Sequence, residues 1–200
     1  MPGLAYSIGI PGAHARLPTG LAERVDGKGW VVGKGIGPAR LVDRYSALGP
    51  DGLRLLELGK LPDRVEASVS VGFKYVMERF RRPGWDLVAD LAAGTRQAMF
   101  GWAKFAEVVV VVADPTVKSL ISARRLAKVG THVLANRVRD HSDLERIRDS
   151  AGLPVIGSIP YDDALAEADR RGVAPIDFAP DSAAVKAIID LASRLIEEQT

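Results

Sequence analysis

The sequence contains no cysteine, so disulfide bridges and thiolate metal sites are both excluded. It has no long apolar run either. Its longest, Val108–Ala113, falls far short of the roughly 20 residues that a membrane-spanning helix needs. No basic stretch with a following apolar block opens the chain, where Met1 leads into Pro-Gly-Leu-Ala, so no signal peptide is visible. These absences together lead to the expectation of a cytoplasmic protein with no integral membrane segment. Charge of one sign is also scarce. The formal net charge is +2, basic and acidic residues are interspersed, and no Lys/Arg run is long, so no nucleic-acid partner is expected. The short cluster Arg79, Arg81 and Arg82 reads as a solvated helix end, because cations suit helix C-termini. His14, His132 and His141 are scattered without ligand spacing, and no metal-binding residues are assigned.

What is present is an ordinary globular balance, 47% apolar and 26% charged, in a length that suits one domain over residues 1–200. Residues 1–50 are rich in Gly and Pro and read as loops, with one short strand around Trp30–Val32. From 53 to 200 an α/β core is expected. Strand signals fall at Leu53–Leu58, Trp85–Ala89, Val108–Val112, His132–Ala135 and Val155–Ile159. The run of valines lacks polar alternation and predicts burial on both faces. Helix boundaries stand between the strands. Asp114-Pro115 offers an N-cap and an N1 proline, and Ser142 with Glu145 forms a capping-box pattern. Asp163–Arg171 stops at Gly172, and Asp181 or Ser182 caps a last helix with a stripe of Val185, Ile188, Ile189, Ala192 and Ile196.

Alternation at these spacings means βαβ units, hence a three-layer α/β fold with a mostly parallel sheet and helices on both faces. Ligands of such folds sit beyond the carboxyl ends of the strands. There the sequence places Asp90-Leu91-Ala92-Ala93-Gly94, Asp114-Pro115-Thr116, Asn136-Arg137 and Pro160-Tyr161-Asp162-Asp163. Each has two readings. Asp90 either caps a helix or holds a magnesium-bound water, with Gly94 letting a backbone N–H approach a phosphate. Asp114-Pro115-Thr116 is explained by capping. Asn136 can donate to and accept from a nucleobase edge, and Arg137 can stack on a ring, or both simply end a strand. Pro160, Tyr161 and Asp162 either wall a base pocket or make a turn.

In order and spacing these segments resemble the MinD/ParA group of deviant Walker P-loop ATPases. The stretch Ala164–Arg171 with Gly172 is similar to the A-x-x-E-A-D-R-x-G segment of the carbon monoxide dehydrogenase accessory (CooC-like) ATPases. The likeness covers Leu53 to the C-terminus closely and the first 50 residues loosely. It implies ATP or ADP with Mg²⁺ as ligands and a switch that closes a homodimer on ATP and releases a partner on hydrolysis. The partner would be a client metalloenzyme or another protein. It implies catalytic roles for Asp90 (the Mg²⁺ water shell) and Gly94 (the γ-phosphate). Asn136 and Arg137 would bind the nucleotide, with Pro160, Tyr161 and Asp162 as pocket wall.

Two departures qualify the resemblance. The group's K-G-G-x-G-K-[ST] loop has only a superficial counterpart in Gly33-Lys34-Gly35-Ile36-Gly37-Pro38, where Pro38 removes a backbone donor. Leu4–Pro11 resembles the segment after the group's second strand, so a first βαβ piece of about 30–45 residues is expected to be lacking. Impaired ATP chemistry follows, and a non-catalytic partner-binding module is the alternative. The nickel-related subgroup's Cys-x-Cys pair is replaced by Glu66-Ala67-Ser68-Val69-Ser70, and serine is a poor ligand for soft metals.

Overall fold

The computed structural model describes residues 3–10, 15–33, 35–58, 67–91, 94–96 and 98–197. Lys34, Glu66, Ala92 and Ala93, on which parts of the sequence reading fall, lie outside that set. The chain forms two compact units, Met1–Val88 and Ala89–Thr200.

In the first unit a short helix α1 (Gly3–Ser7) precedes a hairpin of β1 (Ala22–Val25) and β2 (Gly29–Val32). The strands pair antiparallel from Ala22↔Val32 to Val25↔Gly29. Asp26-Gly27-Lys28 makes the turn, with Gly27 at φ 74°, which glycine adopts without a Cβ clash. The strand expected at Trp30–Val32 is therefore one arm of a hairpin. Helix α2 (Pro38–Tyr45) starts on Pro38 and buries Leu41 and Val42. The strand expected over Leu53–Leu58 is reduced to β4 (Arg54–Leu55), which pairs antiparallel with β3 (Ala47–Leu48). The turn through Pro50–Gly52 folds the chain back locally, and the parallel pairing of this stretch among the described residues is an isolated bridge of Glu57 with Arg16. Helix α3 (Ala67–Arg79) completes a core of Leu17, Leu21, Leu41, Val42, Val69, Val76 and Phe80. Its first turn carries Ser68, buried and accepting from the Gly20 N–H.

Arg79 does end a helix, but Arg82 has a structural role beyond solvation. Its guanidinium donates to both carboxylate oxygens of Asp43, at 2.9 and 2.8 Å, and lies 4.7 Å from the Trp85 ring centroid. Beyond it the expected strand Trp85–Ala89 is absent. The segment is non-helical and unpaired among the described residues, and Val88 is 95% exposed. A short strand is stable only with ladder neighbours to satisfy its backbone, and none lies beside this one among the described residues.

The second unit opens with a π-turn at Ala98–Trp102 and a 3₁₀ turn at Ala103–Phe105. A parallel sheet follows in the order β5 (Val110–Ala113), β6 (His132–Val138), β7 (Val155–Pro160). Helices α4 (Val117–Leu126) and α5 (His141–Ala151) make the crossovers. They cover one face, where Val111, Ala113, Val133 and Ala135 pack with Leu120, Ala123, Ile147 and Ala151. After α6 (Asp163–Arg171) and the short α7 (Pro175–Phe178), α8 (Ala183–Glu197) covers the other face through Ala184 and Leu191 on Leu134 and Ile159. The fold class is thus α/β, a parallel sheet with helices on both faces.

Local details differ from expectation for readable reasons. The valine strand is not buried throughout: Val112 is 57% exposed, and among the described residues β5 has a ladder partner on one side only. Helix α4 starts later than Pro115; its N-cap is Thr116, whose hydroxyl accepts from Ser119 N–H. The cap of α5 is Asp140, two residues before Ser142, and Asp143 returns the bond by accepting from Arg139 N–H. The stripe on α8 is only partly covered, since Ile188, Ile189 and Ile196 stay exposed while Ala184, Val185 and Leu191 face inward. Helix α6 ends as read, with Gly172 in the left-handed region.

Ile147 is fully buried between α4 and β6. Ile147→Ala is expected to lower the unfolding free energy by about 2–5 kcal/mol, as a removed core side chain leaves a cavity. Denaturant titration followed by circular dichroism checks it.

Candidate functional site

Parallel strands bring their carboxyl ends to one edge, and the second unit ends its strands there with β5–Asp114, β6–Asn136–Arg137 and β7–Pro160–Tyr161–Asp162. The pairing of β6 with β7 slips at two places, between Val133 and Leu134, where β7 carries the extra residue, and between Ala135 and Val138. Ala135 lies opposite Ser158 and Val138 opposite Pro160, so β6 carries one extra residue. This is a β-bulge, and Arg137 within it has φ 59°. A left-handed conformation is unfavourable for a residue with a Cβ, and a bulge re-aims the side chain it carries. Here it brings the Arg137 guanidinium to 5.7 Å from the centroid of Tyr161.

Arg139 lies over the same ring, 4.4 Å from its centroid. The Tyr161 hydroxyl donates to Asp163 at 3.0 Å and its N–H to Val138 O at 2.9 Å, so both ends of the residue are tied down. A fixed aromatic plane beneath two guanidinium groups results. Sequence reading singled out Arg137 and missed Arg139. Arg139 lies one residue past the end of β6, and the bulge rather than strand alternation brings it beside Arg137, so no spacing in the sequence marked it.

The acidic residues at this edge are occupied. Asp114 accepts from Thr116 N–H at 3.0 Å and from its hydroxyl at 2.5 Å. Those bonds, with the charge of Arg137 nearby, hold its carboxyl below the usual carboxylate range. Asp162 accepts from Ala164 N–H at 2.9 Å and from Ala184 N–H at 3.3 Å, fastening the starts of α6 and α8 to one carboxylate. These backbone bonds depress its pKa as well. Asp162 therefore supports the Tyr161 loop and has its acceptors committed.

Asp90 and Gly94 stand differently. Asp90 is exposed in the extended segment, and Gly94 has φ 103°, open to glycine alone. Among the described residues no hydrogen bond, ion pair or ring contact joins either to the Arg137–Tyr161 cluster. No group of three or more His, Asp or Glu residues that could hold a metal occurs among the described residues. No described helix is long and apolar enough to cross a membrane.

No protein-family model matches the chain. It is 25% identical over 158 residues to an uncharacterized ATP-binding protein of Methanocaldococcus jannaschii, covering 74% of this chain and 60% of that protein. A second uncharacterized ATP-binding protein of the same organism is 30% identical over 122 residues, 56% of this chain and 46% of that one. The chain spans about half the length of the curated relatives it matches. The solved structure of a ParA family ATPase from Chlorobium tepidum TLS superposes with a TM-score of 0.62 at 21% identity, covering 78% of this chain and 69% of that one. That likeness shows the fold to be the ParA type of P-loop NTPase fold.

Two outcomes follow from the geometry. Arg137→Gly removes a Cβ from a left-handed backbone and is expected to leave stability unchanged or raise it by about 1 kcal/mol, measured by denaturant unfolding. Asp162 has a folded pKa below its unfolded one, so its contribution is complete above roughly pH 4 and lost as pH falls through the folded value. Asp162→Ala should therefore lower the thermal midpoint at neutral pH, and the gap to the parent should close as the solution is acidified below about pH 4.

Proposed function

We propose that the chain is one nucleotide-binding domain of a MinD/ParA-like ATP switch, of the CooC-like kind, and that the Arg137–Tyr161 edge receives the base of the nucleotide. The observation that carries this reading is the bulge, which turns Arg137 onto Tyr161 beside Asp114 at the carboxyl edge of the parallel strands. Similarity to ATP-binding proteins supports it.

In this reading Asn136 offers its amide to the hydrogen-bonding edge of adenine, with both a donor and an acceptor. Arg137 and Tyr161 present flat faces on which a base can stack. Pro160 stiffens the loop, and Asp162 holds it in place by capping α6 and α8. Asp90, whose carboxylate has no hydrogen-bond or ion-pair partner among the described residues, is assigned to the water shell of Mg²⁺, and Gly94 to the terminal phosphate.

The donor set fits the base end of ATP or ADP better than the phosphate end. Pro38, without an N–H, is the first residue of α2, and β2 before it belongs to an antiparallel hairpin. Pro38 offers no backbone donor, so no phosphate and no hydrolytic step are assigned to Gly33–Pro38 in this reading. Bound Mg²⁺ would supply charge neutralisation of the phosphates. Weak nucleotide binding and impaired turnover follow for this chain, in a cytoplasmic homodimer whose closure is passed to a client metalloenzyme or another protein. The same glycine segment favours a second reading, a partner-binding module that keeps the fold without ATP chemistry.

Calorimetric titration with adenosine, ADP, Mg²⁺-ATP and inorganic triphosphate separates the readings. Adenosine and ADP should bind, and Asn136→Ala or Arg137→Ala should weaken both roughly tenfold, the scale of one lost polar contact. Triphosphate binding as tightly as ADP, or an indifferent Arg137→Ala, would overturn the base assignment. No nucleotide binding by the folded protein would select the second reading.

A further inference from the structure

Helix α4 carries two apolar faces where its place in the fold requires one. Leu120 and Ala123 point into the core, at 7% and 2% exposure. Val117 and Ile121, one turn apart, are turned away from it at 60% and 50% exposure. At 100° per residue the side that holds Val117 and Ile121 also holds Lys118, Arg124 and Arg125. All three cations are exposed, and none forms an ion pair among the described residues. Between Asp114 and Asp140 the chain has no acidic residue at all.

This side is one wall of a groove of ≈ 330 Å³ between α4 and α5. Val117, Leu120, Ile121 and Arg124 form that wall, and Arg146, Asp149 and Ser150 form the other. Its floor is apolar and its rim carries arginine on both sides, with Asp149 as the single acid. A solvated helix face would normally mix charges of both signs and keep β-branched residues inward.

We propose that the α4–α5 groove is a docking site for an acidic amphipathic helix of a partner protein. Such a helix would lay residues at i, i+3 or i+4 and i+7 over Val117 and Ile121 and set flanking carboxylates against Arg124 and Arg146. An apolar centre with a charged rim is the anatomy of a protein interface. A nucleic-acid backbone would match the cations and leave Val117 and Ile121 covered by charge, with nothing apolar to repay their desolvation. The groove is separate from the Arg137–Tyr161 edge, and the inference does not require nucleotide.

The probe is a synthetic fluorescent peptide, helical by lactam staples, with Leu at i, i+4 and i+7 and Glu on both flanks. Its binding to the whole chain is read by anisotropy beside a scrambled peptide of equal composition, a DNA duplex and phosphatidylglycerol vesicles. Backbone amide NMR locates the contact. We expect saturable binding of the patterned peptide, with shifts concentrated on residues 117–125 and 146–150. Ile121→Asp should weaken it at least tenfold. Arg124→Glu with Arg146→Glu, both on exposed residues, should do the same and regain affinity for a peptide in which Lys replaces Glu. The double charge reversal keeps the test available if Ile121→Asp perturbs folding. Equal binding of the scrambled peptide, indifference to charge reversal, or preferred binding of DNA or vesicles through these side chains would overturn the proposal.

Discussion

Strand β6 is the constraint on which the second unit depends. It is hydrogen-bonded to β5 on one side and β7 on the other. Its Val133 and Ala135 face α4 and α5 while Leu134 faces the α8 side. A strand enclosed in this way has no freedom to slide, because a one-residue slip would exchange its two buried faces. The extra residue before Val138 therefore has to be absorbed locally. It becomes the bulge at Asn136–Arg137, where the ladder gives way to the open edge.

The edge also shows how charge is sorted in a parallel α/β unit. Asp114, Asp140 and Asp162 follow β5, β6 and β7, and each turns its carboxylate on backbone N–H groups at or just before the next helix. Hydrogen bonds hold all three below the ordinary carboxylate range. A residue that reads as an acidic candidate in sequence is thus spent on the orphan donors of a helix start. Among the described residues Arg137 and Arg139 have no such backbone duty for their side chains, and their guanidinium groups lie over Tyr161. The free chemistry of the edge is cationic and aromatic, which suits a flat, electron-rich ligand better than a metal ion.

The first unit is organised by different means. Its short antiparallel pairs, β1–β2 and β3–β4, are closed by local turns, and its core comes mainly from α2, α3 and the segment Leu17–Leu21. The Asp43–Arg82 pair with Arg82 over Trp85 fastens the end of α3 to α2, a bidentate and stacked arrangement that lysine could not reproduce. Exposed as it is, this pair adds geometry more than energy.

Elements whose signal is local were legible from the residues alone. The strands around Val110, Val133 and Val155, the helix stop at Gly172 and a cap at Asp181 or Ser182, where the Ser182 hydroxyl accepts from Val185 N–H at 3.2 Å, all rest on short-range chemistry. Asn136, Arg137, Pro160 and Tyr161 stand at the carboxyl ends of β6 and β7. Only the tertiary structure decided which apolar segments became strands. Arg54–Leu55 folded back on Ala47–Leu48, and Trp85–Ala89 has no ladder partner among the described residues, since a strand exists only where a second chain segment supplies its missing hydrogen bonds. It likewise decided that Asp162 ties two helix starts together and that Arg139 joins Arg137 on Tyr161. Those contacts depend on register across a ladder, and no spacing within a single stretch of sequence encodes that.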